Sequence, residues 1–175
     1  MPLPTYVGIA GADNLSIVAG SASTASGAGV LRPGGKVKMR DINDGTTNTL
    51  MIGEQSDWGK NGAANFDIRS ATQHGGWMGT GKTGWPGSGV DWTGDNRTFN
   101  LTTVRYKIGQ KLRIAGATNG METNCGVNKP IQSAHIGGAQ VLLADGSVRF
   151  ASDSLNLGLL KNLVNRNDDN VIGEW

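Results

Sequence analysis

Residues 76–83, GWMGTGKT, match the phosphate-loop pattern G-x-x-x-x-G-K-[ST]. Such a loop binds phosphate because a buried strand leads into a glycine-rich turn and a helix begins at the lysine. Here the preceding residues 65–74, NFDIRSATQH, are too polar for a buried central strand. Glycine and proline at Gly84, Pro86 and Gly87 would interrupt the required helix. We therefore predict that this segment binds no nucleotide.

A histidine–aspartate pair is the second candidate for chemistry, because nine residues separate His135 from Asp145. If residues 139–144 form a strand, its rise of about 3.3 Å per residue separates the two by roughly 20 Å. A catalytic dyad requires heavy atoms about 2.6–3.2 Å apart. We therefore predict that His135 bonds backbone groups where the chain enters the strand and that Asp145 shapes a turn.

Nucleophiles and metal ligands are sparse. No G-x-S-x-G motif occurs, and the single cysteine, Cys125, lies in a polar segment without a basic cluster. Two histidines and one cysteine without regular spacing do not predict a zinc site. Oxygen ligands are frequent in residues 40–48, 90–96 and 165–170, which leaves calcium open, although no segment fits D-x-[DN]-x-[DN]-G. We expect no catalytic residue and no cofactor, because solvated carboxylates in turns explain these oxygen-rich segments more simply than a calcium ion does.

Four tryptophans stand among glycines in the middle of the chain: Trp58, Trp77, Trp85 and Trp92. Aromatic rings on loops can stack on sugars, because each ring offers an apolar face with a polar rim. They can also fill a small core beneath long loops, as large aromatic side chains commonly do. Both interpretations stay open, and the first makes a glycan a candidate ligand.

The composition indicates one β-rich domain spanning residues 1–175. Only 17% of the residues are charged, 37% are hydrophobic and 28 are glycine, which is typical of short strands joined by many turns. The net charge of +2 and the dispersed basic residues do not predict nucleic-acid binding. No apolar stretch is long enough for a membrane helix, and residues 1–12 lack the regions of a signal peptide.

Short strands are expected over residues 5–11, 15–20, 36–42, 48–54 and 98–109. In the fourth of these, alternation places Leu50 and Ile52 on one face. Residues 56–96 read as loop. The expected fold class is mainly β (α+β): an antiparallel sheet domain with long glycine- and tryptophan-rich loops and a short C-terminal helix.

The clearest local pattern is AQVLLADGSVRFA, residues 139–151. Asp-Gly between two alternating apolar runs predicts a hairpin with a two-residue turn at Asp145 and Gly146. That turn pairs Leu143 with Val148. The face predicted to reach the core comprises Val141, Leu143, Val148 and Phe150.

A helix is expected after the hairpin, in SDSLNLGLLKNLVNRN. Its N-cap is predicted to be a serine or aspartate within residues 152–154. Its inner side is predicted to carry Leu155, Leu159, Leu160 and Leu163.

Residues 133–150, SAHIGGAQVLLADGSVRF, resemble the processing-associated signature of a bacterial prepilin-like family of unknown function (domain of unknown function 1559), in which nine residues separate a histidine from Asp-Gly. Residues 42–54, INDGTTNTLMIGE, resemble the central motif of that family. Residues 5–12 and 160–175 match its flanking segments in order. The motif residues, which we interpret as structural, are His135, Asp145, Gly146, Asp44, Gly45, Asn48 and Glu54.

The resemblance implies an extracellular or cell-surface location, and it supplies no catalytic residues. Full members usually begin with a prepilin-type cleavage site and an apolar helix, which residues 1–175 do not contain. The leading hypothesis is a non-enzymatic, pseudopilin-like head that acts through protein contacts or self-association. The alternative is a hydrolase or carbohydrate-binding protein that uses the tryptophan-rich loops.

We expect ATP and GTP not to bind, because the strand and the helix that a phosphate loop requires are not encoded around residues 76–83. A calorimetric titration of each nucleotide against the wild type and Lys82→Ala checks this. Micromolar binding that is lost in Lys82→Ala would show that the loop is functional.

Overall fold

The computed structural model describes residues 4–19, 23–69, 76–80, 98–114, 120–121, 126–170 and 172–175. Within these ranges the strands are β1 Tyr6–Ala12, β2 Ile17–Ala19, β3 Thr24–Ser26, β4 Leu50–Glu54, β5 Trp58–Asn61, β6 Ala64–Asp67, β7 Leu101–Val104, β8 Gly138–Leu143 and β9 Val148–Ser152. A 3-10 helix spans Met39–Asp41, and the α-helix α1 spans Leu157–Val164.

A five-stranded sheet in the order β7-β1-β4-β8-β9 organises the described part of the chain. Only the β1–β7 pair is parallel, and the other three pairs are antiparallel. Two small antiparallel pairs, β2–β3 and β5–β6, lie outside this sheet. The predicted fold class is therefore confirmed: the protein is mainly β, with antiparallel pairing dominant and one short C-terminal helix.

Helix α1 covers one face of the sheet. Its side chains Leu160, Leu163 and Val164 are buried in one apolar cluster with side chains from β1, β4, β7, β8 and β9. The strand residues of that cluster are Ile9, Ala12, Leu50, Val104, Ala139, Val141, Leu143 and Ala151. The opposite face of the sheet is left without a helix among the described residues. We call the part of it formed by β4, β8, β9 and Tyr6 the open face; at β1–β7 the same face is buried, with Ala10 and Leu101 2% and 3% exposed.

Asn156 caps the start of α1, since its side-chain oxygen accepts hydrogen bonds from the N–H groups of Gly158 and Leu159 at 2.7 and 3.4 Å. The predicted cap within residues 152–154 was therefore placed too early. The four predicted inner leucines do pack toward the sheet: two are buried, and Leu155 and Leu159 are partly buried against the same cluster.

The β8–β9 hairpin forms where predicted, but its register differs by one residue. Leu142, and not Leu143, pairs with Val148. The N–H of Leu143 donates to the Ser147 carbonyl at 2.9 Å, and the N–H of Gly146 donates to the Leu143 carbonyl at 3.0 Å. The loop thus holds three residues and ends on Gly146 at φ +88°, the left-handed arrangement typical of three-residue hairpin loops.

This shift reverses the predicted orientation of β9, because successive strand residues face opposite sides of the sheet. Val148 is 64% exposed and Phe150 is 48% exposed, so the prediction that both reach the core was wrong. Ala151 takes the buried place instead.

Strand β4 contains a second irregularity. The pairing of β4 with β8 slips between Leu50, which faces Leu143, and Ile52, which faces Leu142. Leu50 is therefore buried in the core, whereas Ile52 lies on the open face, and the predicted common face for these two residues was wrong.

Two further expectations are corrected. Residues 36–42 form the 3-10 turn Met39–Asp41 and not a strand. The segment 56–96, expected as loop, contains the β5–β6 hairpin, whose tight turn has Gly62 at φ +60°. Alternation is weak in β5 and β6 because both are short and largely exposed.

The corrected register makes a quantitative prediction. Leu143→Ala should lower the free energy of unfolding by about 2–5 kcal/mol, because Leu143 is fully buried. Val148→Ala, on the neighbouring strand but exposed, should change it by about 0.5 kcal/mol or less. Chemical denaturation of both variants measures this. Comparable losses at the two positions would restore the two-residue-turn register.

Candidate functional site

The most elaborate polar site surrounds Glu54 at the end of β4. Its side chain is almost fully buried, and its carboxylate accepts hydrogen bonds from Ser56 Oγ at 2.8 Å and from the Gln140 N–H at 3.1 Å. His135 Nε2 lies 3.8 Å from Glu54 Oε1, and the exposed imidazole covers the carboxylate from the solvent side. The His135 N–H donates to Ser133 Oγ at 3.0 Å. The site thus joins β4, β8 and the segment that precedes β8.

The environment of Glu54 favours its charged form. Burial alone would raise the pKa of the carboxyl, but the hydrogen bonds from Gln140, Ser133 and Ser56, together with the charge of His135, hold that pKa below its usual range. A general acid needs a raised pKa near the working pH. Ser56 also bonds the carboxylate directly and not the imidazole, so the site lacks the geometry of a nucleophile–base–acid triad.

The other end of the β4–β8 pair is held by the loop before β4. The N–H groups of Ala144 and Asp145 donate to the carbonyls of Thr49 and Thr46 at 2.8 and 3.1 Å. Within that loop, the Asn48 N–H donates to the Gly45 carbonyl at 3.1 Å, and Gly45 has φ +92°. The two motif segments therefore contact each other at both ends of one strand pair.

Asp44 ties this loop to the C-terminal segment. Its two carboxylate oxygens accept the backbone N–H groups of Asp168 and Asp169 at 2.8 and 3.2 Å. Burial and the two neighbouring aspartates raise the pKa of Asp44, although the backbone hydrogen bonds oppose this shift. Residues 40–48 and 165–170, two of the segments considered for calcium, are therefore in contact. The carboxylate of Asp44, however, accepts hydrogen bonds from backbone N–H groups. The described residues contain no group of three or more His, Cys, Asp or Glu side chains arranged for a metal.

His135 and Asp145 lie at opposite ends of β8, each with a partner of its own. His135 faces Glu54, whereas Asp145 Oδ1 accepts from the N–H and Oγ of Ser147 at 2.8 and 2.7 Å. The hydrogen bonds from Ser147 lower the pKa of Asp145. The hydrogen bonds of Asp145 hold the hairpin turn. Asp145 and His135 are too far apart to share a proton.

Of the four mid-chain tryptophans, the structure describes two, and both are half exposed: Trp58 on β5 and Trp77, whose ring centroid lies 4.9 Å from that of Phe99. Trp85 and Trp92 lie outside the described residues, as do His74, Lys82 and Cys125. In the phosphate-loop segment, the Gly79 N–H donates to the Phe99 carbonyl at 3.0 Å, so Gly79 belongs to a backbone bridge.

The carboxylates beside Trp58 are committed to ion pairs. Asp57 contacts Lys111 Nζ, and Asp67, the cross-strand partner of Trp58, lies 2.6 Å from Arg69 Nη2. Burial opposes ionisation in both, but the hydrogen bonds from these cations hold the pKa of each aspartate below its usual range. Neither carboxyl is suited to donate a proton to a leaving group.

The open face carries exposed apolar side chains near the motif residues. Cross-strand pairing aligns Ile52, Leu142 and Val148 in one row and Glu54, Gln140 and Phe150 in the next. Tyr6, which pairs with Glu54, is 52% exposed. A groove of about 350 Å³ runs between Tyr6, Ile52, Leu142 and Val148.

The chain matches the family described as "Protein of unknown function (DUF1559)" over residues 9–158. It belongs to the DUF1559 family. No curated protein and no solved structure matches it. Among the described residues, no helix has the length and apolar character needed to cross a membrane.

Sequence reasoning identified Glu54 and His135 separately but missed their contact. It also missed the polar residues buried around them, Gln55 and Gln132, whose side chains bond the carbonyls of Pro130 and Asp57 at 3.1 and 3.0 Å. The open face was missed because the assumed register turned Val148 and Phe150 inward. The contact between Glu54 and His135 could have been predicted from pairs of positions that vary together among related sequences. A single sequence does not contain that information.

Glu54 should stabilise the fold in a pH-dependent way. Because its folded pKa is lowered, the contribution is fully present above the ordinary glutamate pKa and is lost as the pH falls through the folded value. Glu54→Gln should therefore cost about 1–3 kcal/mol of unfolding free energy at pH 7, and the cost should shrink toward pH 3. Denaturation at both pH values measures it.

Glu174→Gln is the matched control, because Glu174 is exposed. That variant should resemble the wild type at both pH values. An equal loss for Glu54→Gln at pH 7 and pH 3 would contradict the ionised, hydrogen-bonded role of Glu54.

Proposed function

We propose that this DUF1559 domain is the non-enzymatic, pseudopilin-like head of a surface or secretion-associated protein and that it acts through protein contacts. The observation that carries the proposal is the open face, where Tyr6, Ile52, Leu142, Val148 and Phe150 present apolar side chains to solvent beside a groove. Exposed apolar patches on a folded domain typically mark interaction sites.

The chemistry of this face suits a protein partner. Tyr6 and Phe150 are rigid aromatic side chains of the kind that anchor protein interfaces, and Ile52 and Leu142 supply partly buried apolar surface between them. Glu54 is the charged residue in the row of Gln140 and Phe150 on this face. Its carboxylate is buried and already accepts hydrogen bonds from Ser56 and from the Gln140 N–H. A partner can therefore dehydrate the face without stripping water from a free charge.

The contacts of the motif residues also support a role in binding. Glu54 and His135 at one end of β4–β8, and Asp44, Asn48 and Asp145 at the other, bond the backbone or each other. Glu54, Asp44 and Asp145 use their carboxylates to accept hydrogen bonds within the fold, and the His135 imidazole lies against Glu54. This use of polar residues favours a scaffold for binding over a reaction centre.

Carbohydrate binding remains the second candidate, because Trp58 and Trp77 are half exposed. The hydrolase form of this alternative is weaker. Glycoside hydrolysis needs a carboxylic acid that stays protonated near the working pH, and the aspartates beside Trp58 are paired with cations. A glycan array with Trp58→Ala as the control tests whether the protein binds carbohydrate through Trp58.

Site-specific crosslinking tests the protein-contact proposal. A photoreactive phenylalanine analogue at Tyr6, introduced into the protein in its bacterial host, should yield adducts with other proteins, because Tyr6 lies on the open face. The same analogue at Leu112, which is 61% exposed but outside the sheet, is the matched control and should yield few. Equal labelling at both positions, or none at Tyr6, would contradict the proposal.

A further inference from the structure

The two edges of the five-stranded sheet are treated differently by the fold. The β7 edge is covered: the Thr103 N–H donates to the Val127 carbonyl at 2.7 Å, and Asn128 Nδ2 donates to the Thr103 carbonyl at 3.1 Å. Strand β9 forms the other edge, and no strand in the described part of the chain pairs with its outer side. An uncovered edge is a template for another strand.

The hydrogen bonds of the hairpin reveal which backbone groups face outward. The bonds Leu143 N–H to Ser147 carbonyl and Asp153 N–H to Gly137 carbonyl, both 2.9 Å, mark the hydrogen-bonded pairs of the β8–β9 ladder. Such pairs alternate along an antiparallel ladder. Val148, Phe150 and Ser152 therefore direct their N–H and C=O groups away from β8.

These outward groups are available for pairing. Outside the β8–β9 ladder, no described hydrogen bond uses the backbone of Val148 or Phe150, and the Ser152 carbonyl accepts one bond, from Leu155 N–H at 3.1 Å. The strand carries no proline or lysine, the residues that commonly protect edges. Its one charged side chain, Arg149, lies on the helix-covered side of the sheet with its guanidinium 5.3 Å from the Trp175 ring centroid.

We infer that β9 pairs in antiparallel fashion with β9 of a second copy of this chain, so that two five-stranded sheets join across a two-fold axis. This inference rests on the proposed function, since it names the chain itself as one of its protein partners. A two-fold pairing is self-complementary, because each strand presents the same donors and acceptors to the other.

Charge selects the register of this pair. An axis through Arg149 would place the two arginines directly opposite each other, and like charges in that position are destabilising. An axis through Phe150 instead sets Arg149 opposite Ala151, Phe150 opposite Phe150 and Val148 opposite Ser152 of the second copy. That register uses the outward groups of Val148 and Phe150 and the N–H of Ser152, and it joins the two open faces into one apolar surface.

Sedimentation velocity over a range of concentrations tests the inference. The wild type should self-associate, and Val148→Lys should raise the dissociation constant about tenfold or more, because it places a charge at the edge. Tyr6→Lys is the matched control: the same change on the same face, but on β1, should leave self-association unchanged. A wild-type chain that stays monomeric up to about 1 mM, or equal effects of the two lysines, would overturn the inference.

A disulfide trap reads the register in a Cys125→Ser background. Phe150→Cys should crosslink two copies, since hydrogen-bonded antiparallel pairs have Cα atoms about 5.5 Å apart, within disulfide range. Arg149→Cys should not crosslink. Efficient trapping through Arg149→Cys alone would refute the register that we infer.

The crosslinking at Tyr6 separates this inference from the proposed function. A monomeric chain that still forms Tyr6 adducts with other proteins overturns the second-copy inference and leaves the proposed function supported. A chain that dimerises through β9 but gives no Tyr6 adducts supports this inference and removes the case for other partners on the open face.

Discussion

The three-residue loop that ends on Gly146 determines how apolar side chains are divided between the core and the open face. Any other residue at φ +88° would be strained, whereas glycine adopts it freely. The resulting three-residue loop offsets β9 against β8 by one position, and a one-residue offset transfers every side chain of a strand to the other face. Val148 and Phe150 consequently point outward, and Ala151 occupies the space between the sheet and α1.

That register is reinforced by polar contacts at both ends of the β4–β8 pair. Glu54 holds the Gln140 N–H at one end, and the carbonyls of Thr46 and Thr49 accept from the hairpin turn at the other. A strand that carries a bulge, as β4 does between Leu50 and Ile52, needs such anchors because its own ladder is interrupted. The motif residues His135, Glu54, Asp44 and Asp145 are therefore of types that are common in catalytic sites. Their contacts, however, connect strands and loops of the fold to one another.

The sequence was sufficient for the fold class and the inner leucines of α1, because these follow from local periodicity. It was insufficient for the hairpin register. Asp-Gly is compatible with hairpin loops of two and of three residues. The two-residue loop would bury the apolar side chains of Val148 and Phe150, and apolar patterning alone therefore favours it. The protein adopts the other solution because tertiary packing overrides that preference: small Ala151 fits beneath α1, and Arg149 stacks over Trp175. The contact between Glu54 and His135 depends on sheet order, which local patterns do not encode.

The pairing of β8 with β9 places Phe150 on the open face, so its exposure is a consequence of the strand register. A Cβ atom at Gly138 would lie 2.1 Å from the Ala151 carbonyl oxygen and 2.9 Å from the Phe150 ring, so glycine at this position leaves room for both the paired strand and the ring on the open face. Two glycines therefore lie beside Phe150 at the one sheet edge that the described chain leaves uncovered: Gly146 in the loop that sets its register and Gly138 on the paired strand beneath its ring. An apolar side chain of this size, fixed beside outward backbone donors and acceptors, matches what a pairing strand requires: hydrogen bonds for affinity and an anchored ring for register.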